Sequence, residues 1–445
     1  MKKEINIAIA NWAGVNTGDD AIFSALLNLI RDKVSKNARI FVLADNDKLI
    51  KAKYDVEDAV RIFEFYKPNN LLKVIHFLRK SDLVVYGGGD IVSGNIQSMS
   101  FIGLTKMLGL PVMYCGVGVV PIKSWLSRFF TKLVSNLVDL ITVRDENSKY
   151  LLNSWGINKP PIYVTGDLAF VLQSSGKDRI SQILLREGIK NNMKIGMNVR
   201  PCESMYSFYH SNRLSYKVMA EVCDHIVEKY NAKITFFPMV TKERTKWYHK
   251  NLESDEETSQ KVIDLMKNKN NAIIVKGEYT PEEIMGLLGQ MDLVIAMRLH
   301  TLLLALNMGV PIVAINYAPK IESLVGSINQ SEYCVSAESL HKDKLINLID
   351  KQMKGNNEKP VSTDIQLLKQ KSKANGDYIK DMLHQKKKNI WRFYTFLIPA
   401  IIVISLLNYG LVTIGKFIRV IRRFQHENNI RITRNWNSWW NKSRI

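Results

Sequence analysis

The stretch DLVIAMRLHTLLLAL, residues 292–306, decides the fold of this chain. Its first apolar run has the length of a buried strand, and the leucine-rich run that follows has the pattern of a helix. Arg298 and His300 interrupt these runs, although burying a polar group without a partner costs about 2–7 kcal/mol. Strand-to-helix junctions collect anions because helix N-termini present free N–H groups. Arg298 therefore predicts an anion contact and His300 a proton carrier; the alternative is an arginine paired with a carboxylate and a histidine bonded to a backbone carbonyl.

The same alternation of strand and helix runs through the first 350 residues. Strands are predicted at 5–10, 39–43, 60–65, 83–86, 112–115, 140–143 and 162–164, and again at 194–199, 233–237, 272–275, 293–296, 310–315 and 333–336. Helical patterns separate them, as at residues 19–33 and 216–230. This alternation is typical of parallel sheets covered by helices. It predicts two doubly wound Rossmann-like domains, residues 1–175 and 176–350, with a ligand cleft at the carboxyl ends of their strands.

The charge of the chain lies mainly in its last residues. The formal net charge is +20, and residues 385–445 hold twelve Lys or Arg and one acidic residue. This concentration in a tail argues against a nucleic-acid partner. The four cysteines are scattered without metal-ligand spacing, which indicates a reducing compartment and neither a disulfide framework nor a zinc site.

The composition changes after residue 350. Residues 351–390 are predicted to form a polar linker and a surface helix, and residues 391–445 a membrane-attachment tail. Residues 393–415 contain no charged residue, which meets the length of a membrane-spanning helix. Both flanks are basic, so a spanning segment and one lying on anionic lipid both remain open, as does a buried core helix. The expected location is the cytoplasmic face of the cell membrane.

Glycine, acidic and basic residues also follow other predicted strands. Each could be a helix cap or a surface ion pair, but the edge where parallel strands end is where α/β proteins bind ligands. The glycine-containing turn at residues 11–21 opens a helix and is neither a Walker loop nor a GxGxxG motif. The residues concerned are Gly18, Asp19, Gly88, Gly89, Asp90, Arg144, Asp167 and Arg200.

These segments, in this order, resemble the polysaccharide pyruvyl transferase family. The matching pieces are GVNTGDDAI (14–22), YGGGD (86–90), CGVGV (115–119), VRDENS (143–148), VTGDLAF (164–170), GMNVRP (196–201) and AMRLHTLLLALNMGVPIVAINYAPKIESL (296–324). The resemblance covers residues 5–345 and implies a fold like that of two-domain GT-B glycosyltransferases. It also implies transfer of the enolpyruvyl unit of phosphoenolpyruvate to sugar hydroxyls, which gives a pyruvyl ketal and phosphate.

The resemblance assigns roles to several residues. Arg298 and Arg200 match the arginines expected to bind the donor, and His300 matches the expected general acid. The proton acceptor is expected to be Asp19, Asp90 or Asp167. Further substrate contacts are expected from Gly18, Gly88, Gly89, Arg144, Asp167 and Lys320, although Lys320 and Glu322 could simply form a salt bridge. No cofactor or metal is expected beyond the donor.

Two other functions fit the sequence. A GT-B-type glycosyltransferase that uses a nucleotide sugar would have the same two halves, and a non-catalytic membrane protein that binds glycans could retain the fold. For the leading hypothesis, the expected partners are phosphoenolpyruvate, a lipid-linked or polymeric glycan of the cell envelope or exopolysaccharide, and anionic lipids at the tail.

Overall fold

Apolar runs of the sequence form the strands of two parallel sheets. The computed structural model describes residues 4–64, 67–189, 193–201, 216–248, 253–354 and 362–384. The N-terminal domain contains β1 (Asn6–Ala10), α1 (Thr17–Lys33), β2 (Arg39–Ala44), α2 (Asp47–Lys53), β3 (Asp58–Arg61), α3 (Pro68–Lys80), β4 (Leu83–Val92), α4 (Ile96–Met107), β5 (Val112–Val119), α5 (Trp125–Ser135), β6 (Leu140–Val143), α6 (Glu146–Ser154) and β7 (Ile162–Val164).

The C-terminal domain repeats the alternation, and a last helix follows it. Its elements are α7 (Lys177–Glu187), β8 (Lys194–Asn198), α8 (Tyr216–Tyr230), β9 (Lys233–Phe236), α9 (Lys242–Tyr248), α10 (Asp255–Leu265), β10 (Ala272–Ile274), α11 (Pro281–Leu288), β11 (Leu293–Ala296), α12 (Leu299–Asn307), β12 (Ile312–Asn316), α13 (Pro319–Ser327), β13 (Cys334–Ser336) and α14 (Lys342–Lys354). The last helix, α15, spans Ser362–Met382.

The two sheets share one strand order over six strands, and the N-terminal sheet has a seventh strand, β7, at its edge. The strand order is β3-β2-β1-β4-β5-β6-β7 in one and β10-β9-β8-β11-β12-β13 in the other, and all neighbouring strands are parallel. In both, the order reverses beside the first strand, between β1 and β4 and between β8 and β11. Ligands of doubly wound sheets bind at such a reversal. The predicted pair of parallel α/β domains is confirmed.

Three predicted strands, β3, β4 and β5, differ from the structure by more than two residues at one end. The strand expected at residues 60–65 is β3, Asp58–Arg61, and Ile62–Glu64 forms a turn of 3-10 helix. Strand β4 does not end at its three glycines but continues to Val92, because β5 extends beside it as far as Val119. Gly88 and Gly89 have φ of +70° and +72°, which glycine adopts without strain, and the register between the strands shifts just after Gly89.

The two domains share apolar and charged contacts. Helix α1 packs against α11 and α12, and one apolar cluster extends across these helices. Asp20 on α1 forms an ion pair of 2.8 Å with Arg244 on α9, and both side chains are buried. A backbone hydrogen bond of 2.9 Å from Thr17 N to the Met239 carbonyl joins the same segments. These contacts set the position of α1 against the C-terminal domain.

Helix α15 lies where the sequence predicts a surface helix, and one of its faces is buried against the N-terminal domain. Ser372 Oγ donates to the Asp167 carbonyl at 2.9 Å. Asn375 Oδ1 accepts from Thr142 Oγ1 at 2.6 Å and from Thr165 Oγ1 at 3.2 Å. Since Ser372 and Asn375 are both fully buried, this helix supports the segment that carries Asp167.

The predicted membrane-attachment tail, including residues 393–415, lies outside the described residues. Among the helices that the structure does describe, none combines the length and the apolar character needed to cross a bilayer.

Candidate active site

A cleft lies between the carboxyl ends of the two sheets. Helix α1 and the ends of β4 and β5 form one side, and the ends of β8, β11 and β12 form the other. Most of the residues singled out in the sequence line it: Asp19, Gly89, Asp90, Arg144, Arg200, Arg298, His300 and Lys320. The other three, Gly18, Gly88 and Asp167, lie behind the lining. The reversal points of both sheets therefore face one cavity.

Asp90 joins the two sides of the cleft through cations. Arg144 Nη2 lies 2.6 Å from Asp90 Oδ1, and Lys320 Nζ from the other domain lies 2.7 Å from Asp90 Oδ2. Burial alone would raise the pKa of Asp90, but Arg144 and Lys320 hold it well below its usual range. A Cβ at Gly118 would lie 2.6 Å from Arg144 Cζ, so only glycine leaves room for this contact. Asp90 is held as a carboxylate that binds cations.

His300 faces a buried carboxylate. It is the second residue of α12, and its Nε2 lies 3.6 Å from Asp167 Oδ2. Asp167 Oδ1 accepts the Ala169 N–H at 3.0 Å, which fixes the carboxyl group. Burial would raise the pKa of Asp167, but His300 and Arg144 lower it below its ordinary value. His300 Nε2 and Asp167 Oδ2 thus face each other as a buried pair, and neither atom has a hydrogen-bond partner among the described residues.

The candidate glycines allow close packing around these groups. A Cβ at Gly18 would overlap Nδ1 and Cγ of His300, so only glycine lets the start of α1 pack this closely against the ring. A Cβ at Gly88 would overlap the Ile22 side chain of α1, and one at Gly89 would lie 3.3 Å from Asp19 Oδ1. The structure thus places Gly18 and Gly88 as packing positions that bring α1 close to His300 and β4.

Asp19 is a partly buried carboxyl group without a salt bridge among the described residues. The N-cap of α1 is Asn16, whose Oδ1 accepts the Asp19 N–H at 2.9 Å and whose Nδ2 donates to Asp19 Oδ2 at 2.5 Å. Asp19 is therefore not the cap itself. Burial raises its pKa to about 6, against the opposing attraction of His300. Such a group changes protonation near neutral pH.

Arg298 is held by a carboxylate that the sequence analysis did not single out. Its Nε and Nη2 donate to Asp255 Oδ2 and Oδ1 at 2.6 and 2.5 Å. Asp255 is fully buried and also accepts the Met239 N–H at 3.1 Å. The side chain of Arg298 keeps 19% exposure in the cleft. Of the two alternatives for Arg298, the structure shows the paired arginine, with one edge still facing the cavity.

Arg200 is arranged differently. Its guanidinium lies 4.3 Å from the ring centroid of Tyr317, and no carboxylate in the described part of the chain is within ion-pair distance. Lys320 Nζ lies 5.8 Å from the same ring. Burial would raise the pKa of Tyr317, but Lys320, Arg200 and Arg298 lower it to about 8. This side of the cleft is thus strongly electropositive.

Asp255 and Tyr317 are the two site residues that the sequence analysis missed. Tyr317 directly follows β12, so the strand-end criterion could have found it. Asp255 lies in the acidic start of α10, where Ser254 and Glu257 form a capping box, and its sequence indicates only a helix start. Among the described residues, no group of His, Cys, Asp and Glu is arranged to hold a metal ion.

The family model for polysaccharide pyruvyl transferase matches residues 16–319, which include both sides of this cleft. The chain belongs to this family. The resemblance of the strand-end motifs is therefore confirmed, and the protein is a transferase of the polysaccharide pyruvyl transferase family.

Known proteins agree with this membership and with the fold. The amylovoran biosynthesis protein AmsJ of Erwinia amylovora is 22% identical over 284 residues, which cover 63% of this chain and 67% of the relative. The UDP-GlcNAc 2-epimerase of Methanocaldococcus jannaschii superposes with a TM-score of 0.59 at 13% identity, covering 86% of this chain and all of the epimerase. HepE of Anabaena, solved with UDP and glucose, gives a TM-score of 0.56 with the same identity and coverage. At this identity, the two structures show a common fold alone.

Proposed function

We propose that this polysaccharide pyruvyl transferase moves the pyruvyl unit of phosphoenolpyruvate onto two hydroxyls of a glycan sugar and releases phosphate. The observation that carries the proposal is that His300, which faces the buried Asp167, lines the same cleft as a cluster of cations. Phosphoenolpyruvate has two anionic groups and an alkene carbon that must be protonated. The cleft offers cations for the first requirement and an oriented imidazole for the second.

Arg200 is the primary donor contact in this proposal. It has no carboxylate partner among the described residues, and the carbon of its guanidinium lies 4.3 Å from the centroid of the Tyr317 ring. Arg298 is pre-oriented by Asp255 and adds a second cationic edge. A hydrogen bond to a charged group contributes about 1.5–3 kcal/mol, so two such contacts support donor binding.

His300 serves as the general acid. It delivers a proton to the methylene carbon of the donor while a sugar oxygen forms a bond to C2. Because Nε2 faces Asp167, the nitrogen assigned to proton delivery is Nδ1. Asp167 stays ionised and stabilises the ring in its working orientation.

Asp19 accepts the proton of the attacking sugar hydroxyl. Its pKa of about 6 leaves it ionised, yet basic, at neutral pH. Asp90 and Asp167 are poorer acceptors because neighbouring cations lower their pKa. In the second step the C2–O bond to phosphate breaks, and the second sugar hydroxyl adds to C2 and gives its proton to the departing phosphate. The product is a ketal with one new methyl group and two new C–O bonds, and phosphate leaves.

The acceptor in this proposal is a lipid-linked or polymeric glycan of an exopolysaccharide or the cell envelope. Support comes from the relative AmsJ, whose name places it in amylovoran biosynthesis. The tail predicted from sequence would keep the enzyme at the cytoplasmic face of the membrane, where such glycans are assembled.

The test is a transfer assay with the full chain. Phosphoenolpyruvate and candidate glycans are supplied, the released phosphate is measured, and the mass of the glycan is determined by mass spectrometry. We expect phosphate release matched by the mass gain of one pyruvyl unit. Turnover of a nucleotide sugar without consumption of phosphoenolpyruvate would contradict the proposal and favour a glycosyltransferase.

A further inference from the structure

Helix α5 exposes large aromatic side chains to solvent. Trp125 is 75% exposed, Phe129 is 53% exposed and Leu126 is 37% exposed. Arg128 and Lys132 are exposed beside them. We name Trp125, Leu126, Arg128, Phe129 and Lys132 the α5 patch. Large apolar side chains that cluster on a surface mark an interaction site, whereas single ones are ordinary.

The α5 patch is one face of an amphipathic helix. Residues 125, 128, 129 and 132 have the spacing of one helix face, while Phe130 and Val134 on the other face are buried in the N-terminal domain. The exposed aromatics are therefore a consequence of the helix pattern and not of loose packing. The helix has a regular start, since Ser124 Oγ accepts the Ser127 N–H at 3.3 Å.

The charge of this segment is entirely positive. Residues 91–138 contain no Asp or Glu, and the cations of the α5 patch are Arg128 and Lys132. Interfacial helices have this composition, with aromatic side chains that enter the boundary between headgroups and acyl chains and basic side chains that bind anionic headgroups. Tryptophan in particular prefers the membrane–water interface.

We propose that the α5 patch docks on an anionic lipid bilayer. Charge complementarity selects this occupant, because the patch combines aromatic and basic side chains with no acidic residue in its segment. The proposal does not depend on the donor or on the reaction, and it is separate from the tail predicted at residues 391–445.

The α5 patch lies close in sequence to residues that line the cleft. Val119, Val120 and Pro121 line the cleft, and α5 begins four residues after Pro121. A bilayer in contact with Trp125 would thus lie beside this rim of the cleft. An acceptor glycan carried on a lipid would be presented there without leaving the membrane surface.

The test uses a fluorescent probe on the full chain. Phe129→Cys is labelled with an environment-sensitive nitrobenzoxadiazole dye in a background with Cys202→Ser and Cys334→Ser; Cys115 and Cys223 are buried. Vesicles of mixed phosphatidylcholine and phosphatidylglycerol are added, and vesicles of phosphatidylcholine alone are the lipid control. We expect a blue shift with a several-fold intensity gain only with the anionic vesicles. The matched control is a probe at Leu185→Cys on α7, a leucine that is 83% exposed, which should not respond.

Charge reversal provides the second arm. Arg128→Glu with Lys132→Glu should weaken the vesicle response of the probe at least about tenfold, since each cation is attracted to the anionic surface. An unresponsive Phe129→Cys probe on protein that sediments with vesicles would overturn the proposal. A fluorescence shift that follows protein concentration without vesicles would also overturn it, because that would indicate self-association. A probe that is already shielded from water by residues 391–445 before vesicles are added would overturn it as well.

Discussion

Two arginines of the C-terminal domain face the same cleft and differ in what holds them. Arg298 donates hydrogen bonds to both carboxylate oxygens of the fully buried Asp255, at 2.5 and 2.6 Å. Arg200 lies over the Tyr317 ring at 4.3 Å and has no carboxylate partner among the described residues. The sequence predicts both as equal parts of one anion clamp. Arg298 therefore faces the cleft as part of an ion pair, whereas Arg200 faces it without one among the described residues.

This difference separates stability from binding. A cation paired with a buried carboxylate stabilises the fold, because losing it leaves an uncompensated buried charge. A cation over an aromatic ring makes a weaker contact than a buried ion pair and can bind an anion without breaking one. The first contrast to test is therefore between the two arginines themselves.

The largest effect is expected from Arg298→Ala. Removing the guanidinium leaves Asp255 buried without its partner, and we expect the free energy of unfolding to fall by about 3–5 kcal/mol. Adding Asp255→Asn should restore part of that loss. Denaturant unfolding monitored by circular dichroism measures both. An equal loss of stability in Arg200→Ala would remove the distinction between the two arginines.

Arg200→Ala should act on donor binding. We expect the affinity for phosphoenolpyruvate to fall about 10–100-fold, since one charge-assisted contact is lost, while the free energy of unfolding changes by less than about 1 kcal/mol. Isothermal titration calorimetry measures the affinity. Arg179→Ala is the matched control, because Arg179 forms a half-exposed ion pair with Glu283 and is not among the cleft-lining residues. Unchanged donor affinity in Arg200→Ala would contradict its assigned role.

Asp19 extends the contrast to a carboxyl group that has no salt bridge within the described part of the chain. Its folded pKa of about 6 lies above the ordinary 3.8, so the folded state prefers the protonated carboxyl group. This preference contributes fully to the free energy of unfolding below pH 3.8, and the contribution is lost as pH rises through 6. Asp19→Asn should raise the free energy of unfolding at pH 8 by about 1–2 kcal/mol and leave it unchanged near pH 3. Urea unfolding at the two pH values measures this. An equal effect at both would show that the carboxyl group has an ordinary pKa.

The smallest effect is expected at Tyr317. Tyr317→Phe keeps an aromatic ring under Arg200, so the affinity for phosphoenolpyruvate should stay within about twofold. Tyr317→Ala removes the ring and should weaken binding about 3–10-fold. Calorimetric titration of the two variants compares them. A loss in Tyr317→Phe as large as that in Tyr317→Ala would mean that the hydroxyl, not the ring, acts on the donor.

The fold was largely predictable because its strands are short apolar runs with polar ends. Strands β6, β7 and β11 have the predicted bounds. The extension of β4 through Gly87, Gly88 and Gly89 was not predictable, since it depends on pairing with β5 as far as Val119. A run of three glycines alone indicates a turn.

The location of the site could be predicted from the sequence, but most of the interactions within it could not. Residues after strands gather at one cleft because parallel strands end at one edge. The pairing of Arg298 with Asp255 joins positions 43 residues apart, and the contact of Lys320 with Asp90 joins positions 230 apart. No local pattern encodes such contacts. The roles of the individual side chains stay predictions that the variants test.

The central claim is that the cleft binds the donor through its arginines and protonates it through His300. The most direct measurement is single-turnover transfer by His300→Ala, together with its affinity for phosphoenolpyruvate. The control is His225→Ala, which removes a histidine lying 3.3 Å from Asp350 and not among the cleft-lining residues. We predict that His300→Ala binds the donor as the unaltered protein does and forms ketal about 10²–10⁴-fold more slowly. Transfer at the unaltered rate would contradict the account.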